Sequence, residues 1–401
     1  MKQHSKLIGG ILLVSGTTIG AGMLALPVST GMAGFLPSLG LFVVYWIYMT
    51  FTAFLTLEVN LWMGSENNLT SMAKLTLGST GQVLSWFIYL FLLYSLTTAY
   101  VAGGGPIVVD AIVGVSGIRL PDWAGTIPLL AIFGYFVYKG TRSVDYVNRL
   151  LMIGLVIAYF FMVVFLTPHV DKKLLEYIDW RYGLMGVSVA ATSFGFHIII
   201  PSLTKYLDRD IPKLKKVILI GSVIPLLVYI SWEFLALGII PVAGPNGIVE
   251  GYANGSNGVH LMTAFLGHSA IAIVARFFSF FAIVTSFLGV SLSLSDFLAD
   301  GLSIKKTRSG RLLLYVMTFL PPLAITLIDP RAFLSALEYA GAFGVVTLLG
   351  LYPALMVWSG RYMRHLAPET AFRVPGGKIA LLSSIGISLA IIALEIKIKF
   401  G

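Results

Sequence analysis

The sequence predicts an all-α integral membrane protein of eleven transmembrane helices: two sets of five in inverted topology, followed by one more. Three observations lead there. Hydrophobic residues make up 57% of the 401 and charged residues 11%, with a mean hydropathy of +0.89; soluble domains carry about 25% charged residues. Apolar segments long enough to cross a bilayer recur along the whole chain. Two of them, five segments apart, are interrupted by hydroxyl residues and glycine.

The segments fall at 7–35, 37–63, 83–112, 123–139, 147–167, 183–204, 214–240, 269–302, 312–328, 332–359 and 377–396. The fourth and ninth have about seventeen residues, the lower limit for a span. Between the second and third, residues 66–82 are polar enough for a helix on the membrane surface. Residues 241–268 hold Gly244-Pro245-Asn246-Gly247 and Asn254-Gly255-Ser256-Asn257-Gly258. They read as a long loop with room for a short helix at 259–265. The chain is one transmembrane domain, with 7–167 as the first repeat, 183–359 as the second and 377–396 as the eleventh helix.

Orientation follows from the basic residues. Nineteen of the 27 Lys and Arg fall on the side of the amino terminus, among them Lys139, Arg142, Arg149, Lys205, Arg209, Lys305, Lys306, Arg361 and Arg364. The positive-inside rule puts that side in the cytoplasm. The odd number of spans then puts Lys397, Lys399 and the carboxyl terminus outside, against the local rule. Basic inner loops account for the formal charge of +9, and no long basic tail suggests a nucleic-acid partner. The absence of cysteine excludes disulfides, thiolate catalysis and cysteine-based metal sites. Lys2 and Lys6 precede the first span with no small-residue cleavage site after it, so it reads as a helix rather than a signal peptide.

The first interruption is Gly16-Thr17-Thr18-Ile19-Gly20-Ala21-Gly22, with Pro27 beyond it; the second is Thr192-Ser193-Phe194-Gly195-Phe196-His197, with Pro201 beyond it. Both carry the order hydroxyl, hydroxyl, apolar, glycine. In hydrocarbon a broken backbone is tolerated only where it is buried in protein or lines a cavity. A helix broken there offers free N–H groups from its second half and free C=O groups from its first, suited to a carboxylate and to a cation or ammonium. Glycines that merely allow close helix packing are the alternative. The pairing of the two breaks points to a secondary transporter's substrate site.

Gly16-Thr17-Thr18-Ile19-Gly20-Ala21-Gly22-Met23-Leu24-Ala25-Leu26-Pro27 resembles the first-helix signature of the bacterial aromatic amino acid permeases. Thr192–His197, Thr285-Ser286-Phe287-Leu288-Gly289-Val290 and Thr318-Phe319-Leu320-Pro321-Pro322-Leu323-Ala324 resemble further segments of that family, in the same order. The resemblance implies the amino acid–polyamine–organocation superfamily, a leucine-transporter-type fold and proton-coupled uptake across the bacterial inner membrane. Tyrosine is the expected substrate, with tryptophan or phenylalanine next. A sodium-coupled symporter and a serine or threonine symporter are the alternatives.

On that reading the amides of Gly20, Ala21 and Gly22 receive the substrate carboxylate beside the hydroxyls of Thr17 and Thr18. Glycine there keeps side chains off the ligand. Carbonyls around Ile19 and Phe194 suit the α-ammonium group, with Ser193 and Gly195 adjoining. Phe194, Phe196, Tyr94 and Thr98 supply rings and hydroxyls for an aromatic side chain; lipid-facing or packing aromatics are the plainer reading. His197, ionisable at mid-membrane, either takes up a proton with substrate or satisfies carbonyls freed by the break. Thr285 and Ser286 could complete an all-oxygen sodium site with carbonyls of the first helix. Arg276 is expected to pair with Glu338 or Glu233, as an outer gate or as a static bridge. Asp296, Asp300 and Glu58 are expected to pair with Lys or Arg. Gly103-Gly104-Gly105-Pro106 lacks the strand and lysine of a phosphate loop. No cofactor, metal cluster or hydrolytic triad is visible, so the expectation is a transporter in contact with lipid and an amino acid, not an enzyme.

Overall fold

The computed structural model describes residues 2–64, 68–117, 120–267, 270–329, 331–366 and 372–400. Helices α1 (Lys2–Thr18) and α2 (Gly22–Thr30) are two halves of one hydrophobic crossing, bent by 52° at the break between them. Helix α3 (Phe35–Leu61) returns across the membrane. Helix α4 (Leu69–Ser116) opens with a capping box in which Asn68 accepts from the Ser71 amide and Ser71 from the Asn68 amide. Gly78, at φ +79°, then breaks it, a conformation glycine adopts without steric cost. The expected surface helix of 66–82 is thus the stretch from Leu69 to this break; Glu66 lies outside the described residues.

Helix α5 (Thr126–Lys139) has 14 residues, about 21 Å at 1.5 Å each, against a hydrocarbon core of about 30 Å. A 3-10 turn, Asp122–Gly125, replaces the helix expected from residue 123. Helix α6 (Thr141–Leu166) is full length, and the short α7 (Lys172–Leu175) follows. The second interrupted crossing comprises α8 (Val187–Ser193), a 3-10 turn His197–Ile199 and α9 (Ile200–Tyr206). Helix α10 (Ile211–Leu237) starts under an Asp210 cap on the Lys213 amide, 3.1 Å away.

Residues 241–268 contain two helices rather than a loop with one: α11 (Ile248–Asn254) and α12 (Gly258–Leu266). Asn257 caps the second by accepting from the His260 amide at 2.9 Å. Beyond them come α13 (Ala270–Gly301), α14 (Arg308–Ile328) and α15 (Ala332–Tyr339). A twelve-residue π-helix, Ala340–Leu351, joins α15 to α16 (Tyr352–Trp358). Helix α17 (Gly377–Phe400) is the last.

Among the described residues nine helices are long and apolar enough to cross a membrane, and the bent α1–α2 pair makes ten. The eleventh expected span is α5, which is too short to qualify. The protein is nonetheless a multi-pass helical membrane protein. Its main core joins Ala21, Leu24, Phe42, Phe194, Tyr229, Trp232, Phe278 and Phe287, so a residue of each break, Ala21 and Phe194, belongs to it. On the basic face, Lys6 meets Asp208 at 2.6 Å and Lys306 meets Asp296 at 2.8 Å. Glu58, fully buried, takes two bonds from Arg361 at 2.7 and 2.5 Å and one from the Val374 amide at 2.8 Å.

Candidate functional site

Helix α1 ends because Gly20 and Gly22 disfavour helix and because α13 and α8 come too close for anything larger. A Cβ on Gly20 would lie 2.6 Å from the Ser286 hydroxyl oxygen, and one on Gly22 3.1 Å from that of Ser193. The Ala21 amide donates to Ser286 Oγ at 2.9 Å. The amides of Gly20 and Gly22 have no hydrogen-bond partner among the described residues. They are the donors a carboxylate at the start of α2 would meet.

The carbonyl side of the two breaks is closed by a residue that sequence reasoning did not single out. Tyr229, fully buried on α10, sets its hydroxyl 2.6 Å from the Thr18 carbonyl and 2.8 Å from the Ser193 carbonyl. One phenol proton therefore serves the ends of α1 and α8 in turn. One turn further along α10, Trp232 donates from Nε1 to the Met23 carbonyl at 2.8 Å. The Phe194 ring stands edge-on to Tyr229 at 5.1 Å and tilted to Phe42 at 6.2 Å. The centre is therefore buried, aromatic and made largely of main-chain ends. Tyr229 and Trp232 share one face of α10 with Glu233 (spacing i, i+3, i+4), which was the available signal. By spacing alone, though, they look like packing residues.

Other candidates are dispersed. Thr18 is buried and Thr17 exposed, and their hydroxyls donate back to Val14 and Leu13 at 2.7 Å, away from the break. Ile19 is half-buried beside them. Ser193 likewise donates to the Val189 carbonyl at 2.9 Å, and Thr98 to that of Tyr94 at 2.9 Å. Tyr94 points to α14, where it donates to the Met317 carbonyl at 2.8 Å; Tyr100, two turns on, approaches Ser286 instead. Gly195 packs near Leu349 and Val345. Phe196 belongs to a second cluster with Val14, Ala53, Leu57 and Ile200. His197 is fully buried, with Nε2 2.9 Å from the Thr52 hydroxyl and Nδ1 without a partner among the described residues. Thr285 donates to the Phe281 carbonyl at 2.7 Å, which leaves Ser286 as the hydroxyl of that pair at the break.

Neither pairing expected for Arg276 forms. Arg276 faces instead the Asp110 carboxylate, 3.9 Å away on α4. Glu233 is fully buried and accepts from the Thr30 hydroxyl at 2.6 Å, tying α10 to α2. Glu338 is bridged to Lys399 of α17 and accepts from the Tyr252 hydroxyl of α11 at 2.9 Å. Burial, and then the charge of Glu338, push the Tyr252 phenol above its usual value. Glu395, one turn before Lys399, accepts from the Ser188 hydroxyl at the start of α8. Long sequence separation hid these partners: Lys399 lies 61 residues from Glu338.

A multi-pass helical protein with two broken crossings around a buried centre belongs to the class that moves small solutes through membranes, not to the enzymes. The chain belongs to the tryptophan/tyrosine permease family, whose profile matches residues 3–395. It is similar to the tyrosine-specific transport system 1 of Haemophilus influenzae, 34% identical over 99% of this chain and 98% of that protein. It is also similar to the tryptophan-specific transport protein of the same organism, 31% identical over 95% and 93%. The tyrosine permease of Enterobacter agglomerans is 29% identical over 92% and 91%.

Proposed function

We propose that the protein is a secondary active transporter that imports an aromatic amino acid, tyrosine or tryptophan, across a bacterial inner membrane by proton symport. Relatives covering nearly the whole chain carry those two substrates in their names. The observation that carries the reading is the meeting of the two breaks at Tyr229. Amides of Gly20 and Gly22 suit the substrate carboxylate, the carbonyls of Thr18 and Ser193 suit its ammonium group, and Phe42, Phe194, Tyr229 and Trp232 suit its ring. In this closed arrangement the Tyr229 phenol stands where the ammonium group would donate. A serine or threonine substrate is not favoured, because so aromatic a centre matches a ring rather than a small polar side chain.

Alternating access would rock α1, α2, α8, α9, α3 and α10 against the other helices, in a leucine-transporter-type arrangement of two inverted repeats, 7–167 and 183–359, with 377–396 apart. The amino terminus is cytoplasmic and the carboxyl terminus periplasmic on this reading. The coupling proton is assigned to His197, whose unpartnered Nδ1 can accept it. Sodium is the second reading, favoured by the position of the Ser286 hydroxyl at the break. Uptake of labelled tyrosine and tryptophan into proteoliposomes, with a proton or a sodium gradient imposed separately, tests both. Accumulation under the proton gradient alone supports the proposal. A sodium requirement moves the ion to Ser286 and the α1 carbonyls, and no uptake of either substrate overturns it.

A further inference from the structure

A cavity of about 720 Å³ lies away from the breaks. Residues of α4, α5, α12 and α13 line it, and α1, α2, α8, α9 and α10 contribute none. Its walls include Ile107, Phe133 and Phe280, together with Ile132, Ile273 and Phe277. The last three are 55%, 54% and 55% exposed on helices that pack in a bilayer, so the cavity opens sideways into lipid. Its polar lining includes His260, Asn257 and Thr263 at the α12 end and, facing them from α4 and α13, Asp110, Arg276 and Ser279. Arg276 and Asp110 face one another at 3.9 Å, too far for a hydrogen bond, and Arg276 Nε has no partner among the described residues. Ser279, 2% exposed and one turn along α13, lines the same space with a hydroxyl that also has no partner there.

Arg276 is partly exposed, but its Nε is buried without a partner six residues into a crossing, which is costly, and so is a buried hydroxyl without a partner. Both would be satisfied by an amphiphile with its head at this depth and its chains in the apolar walls. We propose that the cavity holds one phospholipid whose headgroup carries a phosphate and a primary ammonium, a phosphatidylethanolamine. The phosphate accepts from Arg276, for which the planar guanidinium is suited; the ammonium donates to Asp110; and Ser279 donates to an ester oxygen. The local charges of Arg276 and Asp110 cancel, so a zwitterionic head complements them better than an anionic one. A free amino acid carries the same two charges, but it does not account for walls that open into hydrocarbon.

The test is native mass spectrometry of the full-length protein after exchange into micelles doped with phosphatidylethanolamine or phosphatidylcholine. The wild type should retain one phosphatidylethanolamine and prefer it to phosphatidylcholine about tenfold, because choline has no N–H to give Asp110. Arg276→Gln should release both lipids, and Asp110→Asn should bind the two equally. Ala111→Trp, which fills the cavity without touching either charge, should also lose the lipid, and thermal unfolding of each variant checks that it is folded. Equal retention of the two lipids by the wild type overturns the proposal. So does undiminished phosphatidylethanolamine binding in folded Arg276→Gln or Ala111→Trp. Displacement of the lipid by tyrosine, with tyrosine binding lost in Arg276→Gln, would assign the cavity to an amino acid instead and refute the lipid. Uptake does not enter these readouts, so they stand whatever the transported substrate is.

Discussion

Tyr229→Phe isolates the contact on which the closed centre depends. The substitution keeps the ring against Phe194 and removes only the hydroxyl that reaches the Thr18 and Ser193 carbonyls. Because one phenol proton serves one carbonyl at a time, the loss is one buried hydrogen bond rather than two. A buried acceptor left unsatisfied costs about 1–3 kcal/mol. If the bond exists only when the break ends meet, the whole cost falls on this arrangement. Its population relative to an open one should then drop by about 5- to 150-fold. The chain has no cysteine, so Ser193→Cys introduces a single thiol at a buried position. Its alkylation rate in proteoliposomes reports how often the centre opens. Adding Tyr229→Phe should raise that rate by the same factor. An unchanged rate would refute the idea that the phenol latches the two half-helices together.

Four other outcomes follow from the geometry. Gly20→Ala should lower the thermal unfolding midpoint by driving a methyl group to 2.6 Å from Ser286 Oγ; adding Ser286→Ala leaves only the Cβ at 3.8 Å and should recover it, and a double variant no better folded than the single one speaks against the clash. His197→Gln can keep the bond to Thr52 but cannot titrate, so proton-driven accumulation should vanish while exchange across the membrane continues; accumulation at the wild-type level would remove His197 from coupling. Glu58→Gln breaks a pair whose members are 0% and 6% exposed and should cost about 3–5 kcal/mol, read as a clear fall in the thermal unfolding midpoint. Exchanging the charges of Glu338 and Lys399 should recover stability lost in either single variant, whereas exchanging those of Glu338 and Arg276 should not; the reverse pattern would show the bridge to be wrongly assigned.

The sequence by itself determined the class of protein, the position of both breaks and the presence of a hydroxyl at one of them. These are local properties. Hydropathy over a span's length, glycine's weak helix propensity and the cost of unpaired backbone in lipid act over a few residues. The breaks at Gly20 and Gly195 were therefore legible, as was the pairing of Glu58 with a basic residue. The tertiary structure decided everything that depended on which residues meet. Tyr229 reads as an ordinary apolar-segment tyrosine until α10 is laid across the ends of α1 and α8. Tyr94 reads as a site residue until its helix is rotated toward Met317. Arg276, Glu233 and Glu338 share a depth in hydropathy, but rotation about their helix axes sends them to Asp110, Thr30 and Lys399. Depth is written in sequence distance from a helix end. The direction in which a side chain points across a bundle is fixed only by packing between segments far apart in the chain.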